Sequence, residues 1–167
     1  LAIGRHLLPD VRRSVGAIQV DLTDTYTRIT QQGEGYCGDF ADSFTGFATG
    51  GVKGLWYSQA TTTGARLVLV ESAIDAMSFH ALQGDMFTRY MSTGGELNPQ
   101  QPTLLRGAME KLHPSAVVVL AFDDDEGGDK IAGEVEAVAP AGRKLLRVRP
   151  EGAKDWNQIL KARLGLE

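Results

Sequence analysis

From residue 67 onward the apolar positions of this chain alternate between two spacings, short unbroken runs and longer stretches with a three-to-four-residue repeat. The unbroken runs at 67–70, 88–92, 117–122 and 145–148 predict strands, those of the 117–122 run buried on both faces. Between them, residues 73–82 predict a mostly buried helix. Asn98-Pro99 predicts an N-cap with proline at the first helical position, followed by Leu104, Leu105, Ala108, Met109 and Leu112 on one face. Residues 129–138 predict a helix carrying Ile131, Val135 and Val138, and Asp155 caps a last one with Trp156, Ile159, Leu160 and Leu164 inward. Strand–helix alternation of this length implies a parallel sheet with right-handed crossovers.

Before residue 64 the pattern differs, being rich in Gly, Thr and Asp and poor in helical periodicity. Short strands are predicted at 15–21, 26–30 and 54–57, and Thr61-Thr62-Thr63-Gly64 predicts a linker. The expected division is a β-rich N-terminal extension over 1–63 and an α/β domain over 64–167.

Composition narrows the class only slightly. With 167 residues, 43 % of them apolar and 23 % charged, the chain can bury a real core. A net charge of −4 argues against a surface that binds nucleic acid by charge alone, though a local basic patch remains compatible. A lone Cys37 excludes an internal disulfide, and no apolar stretch reaches membrane-spanning length, so a cytoplasmic protein without membrane contact is expected. The first residue, Leu1, is not Met, which predicts a domain from a larger protein.

The chemistry gathers where the strands end. The 117–122 run stops in Asp123-Asp124-Asp125, three carboxylates whose mutual repulsion a divalent cation or cationic partners would relieve. Glu71 directly follows the 67–70 strand, and Asp155 opens the last helix. In a parallel sheet all strand carboxyl ends lie on one edge, so these acids can converge. An extended backbone would point Asp123 and Asp125 to one side and Asp124 to the other, making the first pair the expected chelate.

Four segments in this order resemble the Toprim domain of primases, topoisomerases and small nucleases: LVLVESAIDAMS (67–78), STGG (92–95), VVLAFDDDEGGDKIA (118–132) and PEGAKDWNQIL (150–160). The ES-IDA form with a closing KDWN resembles variants attached to relaxases, mobilisation proteins and phage or plasmid primases. GGVKGLWYS (50–58) loosely resembles their β-rich flank. The resemblance implies a Rossmannoid parallel sheet flanked by helices. It also implies Mg²⁺ (or Mn²⁺ in its place) held by Asp123 and Asp125, with Glu71 as metal ligand or general acid–base group. It implies phosphoryl or nucleotidyl transfer on nucleic acid, DNA foremost, with nucleotides and neighbouring domains of the parent protein as further partners. Lys154 and Lys130 would contact phosphate, with Asp75 and Asp155 in support. Topoisomerase members use a nucleophilic tyrosine from another domain, and no Tyr here is marked for that role.

Blander readings stand beside these. Receiver-type and haloacid-dehalogenase-type domains also place acids after strands, but their phosphoacceptor aspartate lies on an early strand, and here the triple aspartate arrives on the third. Glu71 and Asp75 also suit a helix N-terminus for dipole reasons. Asp124 and Glu126 suit solvent or rim cations, Ser92-Thr93-Gly94-Gly95 suits a tight turn, Asp155 a helix cap and Trp156 a core anchor. His6, His80, His113 and Cys37 lack partners at metal-ligand spacing and are read as structural, and Lys53 as an exposed loop lysine. The rival function is a non-catalytic module that binds a nucleotide or nucleic acid while another domain does the chemistry.

Overall fold

The computed structural model describes residues 36–38, 45–47, 53–58, 65–83 and 87–166. The strands predicted at 15–21 and 26–30, and the Thr61–Gly64 linker apart from its neighbours, lie outside them. The described residues divide into two compact units at Gly54 and Leu55. In the first, β1 (Tyr36–Gly38) pairs antiparallel with β2 (Thr45–Phe47), with Cys37 opposite Gly46. The apolar pattern predicts neither strand.

The second unit is a five-stranded sheet between helices. Its elements are β3 (Trp56–Tyr57), β4 (Arg66–Val70), α1 (Ala73–Gln83), β5 (Thr88–Ser92), α2 (Gln101–Glu110), β6 (Val117–Leu120), α3 (Glu126–Val138), β7 (Lys144–Arg147) and α4 (Trp156–Leu164). The strand order is β3-β5-β4-β6-β7. β4, β5, β6 and β7 are parallel, as expected, but the sheet is mixed because β3 pairs antiparallel with β5, Trp56 opposite Ser92. An antiparallel strand at the edge of an otherwise parallel sheet is common. A strand preceding residue 63 thus joins the α/β sheet.

From β4 the chain moves to β5 on one side, then crosses back to β6 and on to β7. Reversal of direction with right-handed crossovers sends the helices to opposite faces. Accordingly α1 packs with α4, and α2 with α3. Alternate residues of the central strands serve the two faces. Leu67, Leu69, Val118 and Leu120 join Leu105, Met109, Ile131 and Val135 in one core layer. On the other face Phe79 meets Trp156 edge-on at 4.7 Å between centroids. His80, buried there, lies 3.0 Å through Nδ1 from the Tyr90 hydroxyl, in keeping with a structural histidine.

Three local expectations are corrected. Asn98 caps a turn rather than the helix: its Oδ1 accepts the Gln100 and Gln101 N–H groups, and α2 starts at Gln101 with Pro102 in its first turn. Leu104 and Leu164 point outward, at 47 % and 44 % exposed, because Leu105 and Leu160 take the inward positions. Helix α3 begins at Glu126, three residues ahead of the predicted Asp129. Among the described residues no helix is long and apolar enough to cross a membrane.

Candidate functional site

The topology fixes where a site can form. Strand order reverses between β4 and β6, and in open α/β sheets the crevice outside the carboxyl ends of such strands takes the ligand. Register continues that pairing past the strands, since Leu69 lies opposite Leu120 and Ala121 N–H donates to Leu69 O at 2.8 Å. Glu71 and Asp123 therefore leave the sheet side by side on one edge.

Backbone groups of the 121–124 loop find partners elsewhere in the fold, as buried backbone must. Ala121 O accepts from the Trp156 indole at 2.7 Å. Phe122 O and Asp123 O accept from the Arg147 guanidinium at 2.7 and 2.8 Å. Asp124 N–H donates to Lys154 O at 2.9 Å, tying this loop to the one before α4.

Asp123 is 8 % exposed, and its Oδ1 has no hydrogen-bond partner. Burial first, then the charges of Asp75, Glu71, Asp155 and Asp125, push its carboxyl up to about 7. Four other carboxylates thus act on one buried oxygen, and two of them come from helix N-termini on the α1/α4 face. Asp75, in the first turn of α1, accepts from Ser72 Oγ and from the Asn157 N–H; burial above all holds its carboxyl above the usual range. Asp155 caps α4, accepting Gln158 N–H at 2.7 Å.

Asp125 does different work. It is the N-cap of α3, with Oδ1 accepting Gly128 N–H at 2.8 Å. Its Oδ2 lies 3.3 Å from Lys154 Nζ. The Gly128 N–H, with Lys154 behind it, holds this carboxyl below the usual range. Asp124 turns to the rim and pairs with Arg149 at 3.3 Å. Lys130 spans to Glu96 at 2.9 Å, so both lysines expected at phosphate already face carboxylates.

Glu71 is framed by the 92–95 loop. Gly94 and Gly95 N–H donate to Glu71 O at 2.8 and 3.2 Å, both glycines holding left-handed φ values of 65° and 87°. Those N–H groups are spent on the protein's own carbonyl, so the loop acts as a tight turn that seats Glu71 rather than as a phosphate cradle. Gln101, fully buried, fastens the same loop by donating to Thr93 O at 2.7 Å and accepting Asn98 N–H.

The donor set suits a hard, oxygen-seeking cation, and an orphaned, buried carboxylate oxygen is what such an ion would satisfy. Among the described residues no group of three or more His, Cys, Asp or Glu side chains closes on a single point. Arg147, Arg149 and Gln101 also build the site, and no sequence motif marks them. The two arginines bind backbone or carboxylates 18 to 27 residues away, which no local spacing reveals. Gln101 acts through a turn contact to Thr93 O and Asn98 N–H that carries no motif signature.

An α/β domain with an acidic cluster at the switch-point edge is thus defined by geometry alone. The chain belongs to the Toprim-like family, whose model matches residues 68–160, more than half its length. Among curated proteins no match is found. A crystal structure of the primase fragment of the bacteriophage T7 primase-helicase protein is similar at 24 % identity and a TM-score of 0.45. That similarity covers 64 % of this chain and 41 % of the other, so this chain spans well under half of its length.

Proposed function

We propose that this Toprim-like domain serves a DNA-processing protein, primase-like or relaxase-associated, in Mg²⁺-dependent phosphoryl or nucleotidyl transfer. The observation that carries the reading is the buried, unpartnered Asp123 Oδ1 among the charges of Glu71, Asp75, Asp125 and Asp155. Asp123 would hold the ion, with Glu71 or Asp125 as second ligand. Bound there, the ion would neutralise charge on the reacting phosphate oxygens. Glu71, seated by Gly94 and Gly95, would exchange a proton with the attacking or leaving oxygen. Lys154, exposed at the rim beside Asp125, would exchange that partner for a substrate phosphate.

The second reading, a binding module without catalysis, is favoured by Asp125, whose two oxygens are both engaged within the fold. One pair of measurements separates them. Mg²⁺ should stabilise the chain by about 2.7 kcal/mol at a concentration 100 times its Kd, an effect lost in Asp123→Asn. No thermal shift in the parent chain overturns metal binding altogether. In the full-length protein, Glu71→Gln should lower the rate of strand synthesis or cleavage by about 100-fold or more while leaving DNA affinity intact. Unchanged turnover in that variant decides for the binding module.

A further inference from the structure

We infer that Arg147 is a positioning residue for the Asp123 metal site, an inference that rests on the metal reading above. At the end of β7 its guanidinium lies under the loop that leaves β6. Nη1 donates to Leu120 O, Phe122 O and Val148 O at 3.1, 2.7 and 2.9 Å, and Nη2 to Asp123 O at 2.8 Å. The regular β6–β7 pairing stops at Leu120 opposite Arg147, so without this side chain the Phe122 and Asp123 carbonyls would be left unpaired beside the core.

The arrangement has a second property. Arg147 brings a cation to the loop, yet its terminal nitrogens go to carbonyl oxygens and to Asp129 Oδ1 at 3.1 Å, and Asp123 Oδ1 keeps no partner. The loop is fixed without its carboxylate being neutralised. Arg149 extends the support outward, joining the same Asp129 oxygen to Asp124. From floor to rim, Arg147, Asp129, Arg149 and Asp124 form one alternating chain of charges behind the site. Its inner member, at 17 % side-chain exposure, is shielded from salt, whereas Arg149 at 43 % is not. Sequence position hides this role, since Arg147 lies 24 residues beyond Asp123.

The fold supplies its own control. Arg143 does the same chemistry at the other end of β6, donating through Nη1 to His113 O and Ala116 O and through Nη2 to Met109 O. Removing the Arg143 guanidinium takes a donor from carbonyls of which two keep another, His113 O with the Ala116 N–H and Met109 O with the Leu112 N–H. Only Arg147 touches the loop that carries Asp123.

The test is Mn²⁺ binding to the whole chain, read from the electron paramagnetic resonance signal of free Mn²⁺ well below each variant's melting temperature. Arg147→Gln should weaken Mn²⁺ binding about 10–100-fold, the usual cost of losing a group that orients a ligand. Arg143→Gln should lower the melting temperature and leave Mn²⁺ affinity unchanged. Arg147→Lys, able to reach fewer carbonyls, should fall between parent and Arg147→Gln, and it replaces the latter if Arg147→Gln does not fold. Equal loss of stability in Arg147→Gln and Arg143→Gln with parental Mn²⁺ affinity in both makes Arg147 merely structural and overturns the inference. A parent chain that binds no Mn²⁺ overturns the metal reading itself, a distinguishable failure.

Discussion

Gly128→Ala should destabilise this domain by about 3 kcal/mol or more, against the sign that helix propensity alone would give. Alanine in a helix interior is favoured over glycine by about 1 kcal/mol. At this position, however, an added Cβ would stand 2.2 Å from Asp123 O and 2.9 Å from Asp123 C and N. Those are backbone atoms of the loop that Arg147, Trp156 and Lys154 hold in place, so no flexible side chain can swing aside. The steric term outweighs propensity. Gly133, in the same helix with nothing within 4 Å of its would-be Cβ, is the internal reference. Gly133→Ala should stabilise by about 0.5–1 kcal/mol. Thermal melts of the two variants should therefore move in opposite directions. A Gly128→Ala protein that melts at or above the parent would contradict the close approach of α3 to the Asp123 backbone.

In the presence of a chelator, Asp123→Asn should melt above the parent at pH 8 and level with it near pH 4. In the folded chain the Asp123 carboxyl is pushed up to about 7, foremost by burial and then by the Asp75, Glu71, Asp155 and Asp125 charges. The unfolded chain releases the same proton near 3.8, so between these values the folded state binds more protons. Its stability accordingly falls as pH rises through that window, by at most about 4 kcal/mol for this group. Asp75, raised in the same direction by its own burial, adds to the slope. Asparagine keeps the shape and removes the charge, which should flatten the profile. Saturating Mg²⁺ should narrow or close that gap at pH 8, stabilising the parent and not the variant. Equal pH slopes for parent and Asp123→Asn in chelator would show that this carboxylate is not electrostatically burdened.

Much of the domain was legible in the order of its residues. The Val117–Leu120 strand, the buried faces of α1 and α3 and the four parallel strands follow from runs and periods that only one pleat or one helical repeat can satisfy. The outward position of Asp124 followed as well, from simple alternation past the strand end. The helix start after Asp125 was not legible in the same way. The apolar period predicts the helix only from Asp129, whereas the structure starts α3 at Glu126 and makes Asp125 its cap. The reason is spatial: Gly128 is the residue that lets the helix approach the Asp123 backbone, a requirement no local pattern expresses.

The sequence by itself determined that acids stand at the ends of two parallel strands and at the start of the last helix. It determined these points because strand ends, caps and apolar periods depend on neighbours a few positions apart. Only the tertiary structure decided which of the three aspartates is buried and unpartnered, that Gly94 and Gly95 seat Glu71 instead of cradling phosphate, and that Arg147 holds the loop from behind. Each of those depends on groups brought together from segments far apart in sequence, such as Leu69 with Ala121 across the β4–β6 switch point, and Trp156 with Ala121. Burial and long-range hydrogen bonding, not composition, separate the three carboxylates of one run into a rim anchor, a helix cap and a buried group with an unpartnered oxygen.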